Sequence, residues 1–378
     1  MKKEERNEKT GSVVVHPGDL VYNGMNWNYG WKGVLSVSEL WHASIQGVPW
    51  NAEKMHQAVH LLRRRATVHF RVDADTYEDL AELDAKVFFA RPDLILHILH
   101  MDPKGVYSSG FLGRLAQLKH VSALQLDLSQ AQDLTILGAM EQLQFLRLNS
   151  PAKATVLDFI KHYKRLTFLE LRGKFNGFAS IAACLQLHTL ILNCTIESAD
   201  VLAELPMLQY LSLDHCELKG GLDVLTQSTI SMLKLSSVRK LTSIQGLEQM
   251  RGLEYLHLSL PKLEQLCDFS HMTSLRQLEL DYMKSLRDTT HLWTARALES
   301  IELKEINTAL KADSFAGLTG LEHLRQIDFR FIDVNKGRIA AMRDHLDKAG
   351  KSHLLYENIP EQERLNSIGI EHLSHVLM

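Results

Sequence analysis

Apolar residues recur along this chain in a fixed phrase, L-x-x-L-x-L, between Val121 and Phe329. Its first position falls at Val121, Leu143, Leu166, Leu187, Leu208, Ile230, Leu253, Leu275, Leu298 and Leu324, at spacings of 22, 23, 21, 21, 22, 23, 22, 23 and 26 residues. All thirty template positions are aliphatic or aromatic, from Val121, Leu124 and Leu126 to Leu324, Ile327 and Phe329. A period of this length marks a solenoid. Around each L-x-L the alternation predicts a short strand with leucines inward and the intervening side chains outward. One coil alone has nothing to bury its apolar face against. Stacked neighbours do, and they generate a continuous parallel sheet along one edge of a curved α/β solenoid.

The same alternation assigns positions three, five and seven of each repeat to the concave side. Position three reads Ala123, Phe145, Phe168, Thr189, Tyr210, Met232, Tyr255, Gln277, Ser300 and Gln326. Strands about 4.8 Å apart would turn this column into a stripe that is mostly aromatic and apolar in repeats two to seven. Exposed aromatics gathered in a concavity are common anchors of protein interfaces, so Phe145, Phe168, Tyr210 and Tyr255 are the expected anchors. The competing reading is packing beneath long side chains of neighbouring columns. Charged candidates flank the stripe: Arg147, Glu170, Asp214, Lys234, His257, Glu279, Asp281 and Glu302. The later coils lean acidic, which suits a protein partner with an apolar ridge and a basic end. No nucleophile, paired carboxylate or phosphate loop stands among these positions.

The flanks differ in composition. Residues 1–12 are charged and expected to be disordered. Residues 13–95 read as an N-terminal α/β capping region rich in tryptophan, with Trp27, Trp31, Trp41 and Trp50 near its start. That cluster could be a stacking platform for a ligand; an aromatic plug on the solenoid end is preferred, because terminal coils need caps. Asn51 reads as the N-cap of a helix carrying Met55, Val59 and Leu62. On it, His56-Gln57-Ala58-Val59-His60 has the i, i+4 histidine spacing of zinc metalloproteases, but Gln57 replaces the glutamate base and no third ligand is nearby. Metal binding, or a hydrolytic role of the cap, is therefore carried only as an alternative. Strands are expected over 67–72 and 94–101 with a helix over 77–90 between them. Leu96, Leu99 and Met101 look like a degenerate extra coil. The array is assigned to 96–331. From 332 to 378 a C-terminal cap is expected, with a helix over 336–349 closed by Gly350, and an apolar tail from His372 to Met378 that is either a small added element or a partner-binding peptide, packing back on the cap being preferred.

Charge and cysteine usage narrow the class. With 42 Lys and Arg against 45 Asp and Glu, the formal charge of -3 offers no basic face for nucleic acid. No apolar run reaches 18 residues, so no membrane span is expected, and the charged start lacks the core of a secretory signal. Cys184, Cys194, Cys216 and Cys267 have no framework spacing and suit free thiols in a cytoplasmic protein.

The segments Leu235-Ser-Ser-Val-Arg-Lys-Leu-Thr-Ser-Ile-Gln-Gly-Leu-Glu-Gln-Met-Arg-Gly-Leu253 and Arg91-Pro92-Asp93-Leu94 resemble bacterial intracellular leucine-rich repeat proteins of the short-repeat type. The resemblance covers about residues 95–330. It implies a protein-interaction module, with a toxin-neutralising, immunity-like binder as one alternative. The usual asparagine at position nine is missing: Pro151, Lys174, Thr195, Cys216, Val238 and Pro261 stand there, so irregular coils are expected. Repeat-containing ubiquitin ligases add a catalytic cysteine domain, whereas residues 332–378 contain no cysteine. The expected function is a non-catalytic scaffold, without cofactor or metal, that binds a partner protein on its concave face.

Overall fold

The computed structural model describes residues 43–378 apart from 48, 103, 197, 198, 219, 220 and 335. Before residue 43 it describes only the antiparallel pairing of Val13–Val14 with Val34–Leu35. The expected disorder of residues 1–12 and the surroundings of Trp27, Trp31 and Trp41 lie outside the described residues.

Thirteen short strands follow one another along a single parallel sheet: β1 Ser44–Gln46, β2 Thr67–Arg71, β3 Ile95–Leu99, β4 Ala123–Asp127, β5 Phe145–Val156, β6 Phe168–Asn176, β7 Thr189–Ile196, β8 Tyr210–Asp214, β9 Met232–Ser236, β10 Tyr255–Ser259, β11 Gln277–Asp281, β12 Ser300–Lys304 and β13 Gln326–Asp328. Each pairs with the next in sequence, and a two-residue side strand, Glu217–Leu218, pairs with the end of β7. The register joins like positions of successive repeats, Ala123 to Phe145, Phe168, Thr189, Tyr210, Met232, Tyr255, Gln277, Ser300 and Gln326. This is a leucine-rich repeat solenoid.

Position-one, -four and -six side chains fill the interior; Leu166, Leu169 and Leu171, for example, are fully buried. Short 3-10 turns such as Asp158–His162, Phe178–Ala183 and Thr290–Thr294 return the chain on the convex side, their apolar residues closing the same core. In place of an asparagine ladder, main-chain groups tie coil to coil. At position eight, Gly173 (φ 110°), His215 (φ 50°), Ser237 (φ 50°), Tyr282 (φ 51°) and Glu305 (φ 45°) adopt left-handed backbone, a turn that aims the N–H at the neighbouring coil. His215 N donates to Ser236 O at 2.9 Å, Ser237 N to Ser259 O at 2.8 Å, and Glu305 N to Phe331 O at 2.9 Å. Cys216 at position nine adds a thiol hydrogen bond to Leu192 O, 2.9 Å. The expected irregularity is seen among the described residues between Ser150 and Thr155, where β5 slips register against β6, and only a glycine fits at 173, because a Cβ would run into the Ser150 carbonyl.

The sheet runs through residue 95 without a break, since β1, β2 and β3 belong to it. Helix α1, Ala52–Leu61, starts at the expected cap: the Asn51 side chain accepts from Lys54 N. It buries Met55 and Ala58, and Leu62 just beyond its end, while Val59 is half-buried. Helix α2, Tyr77–Glu82, continues into a wider turn over Leu83–Phe88, and α3, Ser109–Ala116, precedes β4. The extra coil before β4 is phased differently from the sequence reading. Leu96 pairs with Leu124 and Ile98 with Leu126, so they hold positions four and six, whereas Leu99 faces the concave side and Met101 is exposed. Alternation along the strand sets this phase, and the spacing of three leucine-type residues does not.

Helix α4, Lys336–Lys348, covers the last coil with Met342 and Leu346, and Gly350 takes the left-handed turn after it (φ 69°). Its Arg338 satisfies carbonyls that a further coil would otherwise meet, donating to Asn307 O at 2.8 Å and Leu310 O at 2.7 Å while pairing with Asp333 at 2.8 Å. The final helix, α5, spans Ile368–Leu377.

Candidate functional site: the concave groove and the segment that fills it

Position three of the repeats, with Ile191 from position five, makes a second apolar cluster separate from the interior: Ile95, Ala123, Phe145, Phe168, Ile191, Tyr210, Met232 and Tyr255, joined by Leu373. The four expected anchors therefore come together on the concave face, but not in water. Phe145 is 0% exposed, Phe168 1%, Tyr210 3% and Tyr255 4%. Arg65 and Arg147 lie over Phe145 and Arg147 over Phe168, while the chain's own end covers Tyr210 and Tyr255 and adds Leu373 to the cluster. The apolar tail runs back along the concave column from the last repeat, and its final turn reaches Arg63 and Arg64.

Each part of the tail meets a matching part of the column. Gln326 grips the backbone of Leu365 at both ends of its amide, donating to the carbonyl at 3.0 Å and accepting from the N–H at 2.9 Å. Gln277 bridges two residues of the same backbone, donating to Asn366 O at 2.7 Å and accepting from Ile368 N at 2.7 Å. Gly369 lies on the Tyr255 ring. His372 stacks on Tyr210, centroids 5.2 Å apart and planes within 7°, and hydrogen-bonds Thr189 Oγ1 at 2.8 Å. Leu373 enters the aromatic cluster, with Ile368, Val376 and Leu377 beside it. At the helix C-terminus, Arg64 donates to His375 O and Arg63 to Leu377 O, each at 3.3 Å, supplying cations where the helix dipole is negative.

The charged candidates form networks on the floor. Arg147 lies over Phe145 and Phe168, 5.1 and 5.7 Å from the ring centroids, and donates to Glu170 at 2.9 Å. Arg172 donates to the other Glu170 oxygen at 2.7 Å. Farther along, Glu279 accepts from Tyr255 Oη at 2.9 Å and shares a 2.9 Å hydrogen bond with His257 Nδ1. Burial is the strongest influence on Glu279 and disfavours its carboxylate, but the hydrogen bond and charge of His257, the Ser367 hydrogen bond and the Lys304 charge together outweigh it and hold the group well below the usual range. Burial lowers the His257 imidazole, and it lowers Lys234 against the opposing charges of Asp214, Glu279 and Asp281. Burial pushes Glu302 up despite its 2.7 Å ion pair with Lys304. A buried ion pair is weak evidence for stability, because desolvation offsets much of its attraction.

The tail does not fill the groove evenly. A cleft of about 560 Å³ remains between the linker ahead of α5 and repeats eight to ten, over Glu279, Glu302, Lys304 and Asp328 and under Arg364, Asn366 and Ser374. Sequence reasoning named the floor residues but missed the residues that cover or grip them: Gln277 and Gln326 as backbone grips, Gly369, His372 and Leu373. The spacing Ile368, His372, Leu373, Val376, Leu377 does carry an amphipathic signal, readable once the apolar end is taken as a helix.

Other candidates stand apart. His56 and His60 lie ring to ring with centroids 4.2 Å apart on α1, and among the described residues no group of three or more His, Cys, Asp or Glu is placed to hold a metal ion. His215 pairs with Asp214 at 2.8 Å. Trp50, the described member of the tryptophan group, is buried in the main core. The four cysteines are buried free thiols, and burial pushes Cys184 and Cys267 up to about 12 and Cys216 to about 11. Among the described residues no helix is long and apolar enough to cross a membrane.

No known protein family matches the sequence, and no curated protein does. Among solved structures the chain is similar to an internalin (inlF) from Listeria monocytogenes, 17% identical over 68% of this chain and 80% of that one, with a TM-score of 0.45. It is also similar to internalin C2 (inlC2) from the same organism, 21% identical over 53% of this chain and 78% of that one, with a TM-score of 0.37.

Proposed function

We propose that this chain is a non-catalytic cytoplasmic scaffold whose concave sheet binds a partner protein, with Phe145, Phe168, Tyr210 and Tyr255 as anchors and Arg147, Glu170, Asp214, Lys234, His257, Glu279, Asp281 and Glu302 setting the charge around them. In this reading residues 13–95 and 332–378 cap an array over 96–331. One observation carries it: the aromatic column already holds a peptide segment, the chain's own residues 365–377, by backbone grips, stacking and apolar burial together. A surface that seats one helix so specifically has the chemistry to seat another. A stiff sheet also loses little freedom on binding.

The test is a capture from native cytoplasm with the full chain, comparing wild type with Phe168→Ala/Tyr210→Ala, each first shown to be folded by its unfolding transition. Photo-crosslinks from Met232 are then mapped. A partner held by wild type, lost from the variant and crosslinked at Met232 supports the reading. A partner retained by the folded variant and crosslinked only from convex positions would sink it.

A further inference from the structure

The covered groove raises the question of what else fits it. We propose that residues 365–378 are a displaceable internal ligand, and that the occupant replacing them is a partner's amphipathic helix preceded by a basic stretch. This inference rests on the concave-face reading above.

Three observations lead there. The contacts of α5 are those of a bound peptide more than of a core element. Its backbone is gripped through Gln277 and Gln326, Gly369 lies against Tyr255, His372 and Leu373 enter the groove, and Glu371 and His375 stay exposed along the cleft. A ten-residue helix has little stability of its own, so away from the groove it is mostly unfolded and release is not held back by internal structure. The fit is also uneven. Between α5 and repeats three to seven only about 70 Å³ stays open, whereas repeats eight to ten keep the 560 Å³ cleft. Of the sheet residues lining that cleft, the acids Glu279, Glu302 and Asp328 outnumber the cation Lys304.

The direction of the tail fixes the polarity of the partner. The linker enters at Gln326, the acidic end, and the helix ends at Arg63 and Arg64. A competing helix in the same direction would place its N-terminal flank over the acidic cleft. Lysines or arginines in that flank would fill space and charge that the tail leaves, and this is how the partner would outcompete a segment tethered at high local concentration. The helix itself needs a small residue over Tyr255, followed four residues later by an apolar one for the site of Leu373.

The experiment measures anisotropy of a labelled peptide with the sequence of residues 365–378, added to the full chain. Gly369→Glu in the chain forces a clash with Tyr255 and frees the groove; Leu373→Asp serves the same purpose if that variant misfolds. Peptide binding to the freed chain is expected at least tenfold tighter than to wild type, and it should be lost when Tyr210→Asp is added. A peptide carrying Asn366→Lys should bind at least threefold tighter at low salt, the gain fading as salt rises. Equal affinity for wild type and freed chain overturns the proposal, as does binding that survives Tyr210→Asp or a lysine peptide with no gain. A wild-type dimer that the peptide dissociates would name a second copy of the chain as the occupant and overturn the partner assignment. Failure of these outcomes leaves the crosslinking result at Met232 to judge the concave face separately.

Discussion

Gly369 stands so close to the Tyr255 ring that a Cβ on the glycine would lie 2.6 Å from Cε1 and 2.8 Å from Cζ. Nothing in its backbone asks for glycine; the requirement comes wholly from the approach of helix to sheet. Gly369→Val should therefore act on docking and leave the solenoid alone. Forced overpacking costs about 1–3 kcal/mol, enough to release a ten-residue helix. Hydrogen exchange of residues 365–378 should accelerate at least tenfold while strands β4 to β12 keep their protection. Unchanged exchange in the tail would mean that the groove yields around the side chain.

How far the sequence disclosed this arrangement depends on the range of each signal. The phrase L-x-x-L-x-L repeats within every coil, so Leu124, Leu146 and Leu169 could be placed in register from spacing alone, and the structure aligns them so. The column Phe145, Phe168, Tyr210, Tyr255 followed from the same arithmetic. Its cover did not, because Gln277 and Ile368 are 91 residues apart and Thr189 and His372 are 183 apart, with no periodicity linking them. Where the repeat decays, as at Leu96, Leu99 and Met101, spacing without alternation gave the wrong phase. Left-handed turns at His215, Ser237, Tyr282 and Glu305 were invisible for another reason: only Gly173 among position-eight residues advertises such backbone.

The cysteines yield a second test. Cys184, Cys194, Cys216 and Cys267 are all buried, and burial raises each thiol above its ordinary range, so almost no thiolate is present at neutral pH. The native chain should react with a thiol reagent such as DTNB at a rate at least a hundredfold below that of the urea-unfolded chain, and all four sites should become reactive in one unfolding transition. A fast-reacting thiol in the folded state would contradict the buried placement.

Arg338 closes the open end of the array. Its guanidinium donates to carbonyls of Asn307, Leu310, Ile306 and Ile332 and pairs with Asp333, while the residue is only 6% exposed. Arg338→Met keeps the volume but removes the donors and the charge. Breaking a buried pair from one side costs about 3–5 kcal/mol, and the loss should begin locally. Strand β13 and the turn after it should exchange faster than β8 to β10, and the urea midpoint should fall. Arg338→Lys should recover little, because an ammonium cannot reach four carbonyls in fork geometry. A midpoint within error of wild type would place the closure elsewhere in α4.

His372 sets the pH response of the docked tail. Burial, reinforced by neighbouring His188 and His375, lowers its imidazole from the ordinary 6.5 to about 4. The docked ring is therefore neutral, stacked on Tyr210 and hydrogen-bonded to Thr189. Released into water, the same ring binds a proton below about 6.5. The undocked state then holds more protons between about 6.5 and 4, so docking is at full strength above that window and weakens as pH falls through it. Methyl NMR of Leu373 and Leu377, whose shifts report proximity to the aromatic column, should move toward free-peptide values on acidification. His69 is also lowered to about 4 by burial and by His97, within strands β2 and β3, so part of any acid response belongs to the sheet. His372→Gln separates the two: the tail's transition in this window should vanish in that variant while the change around His69 remains. A tail transition that persists unchanged without the imidazole would remove His372 as its cause.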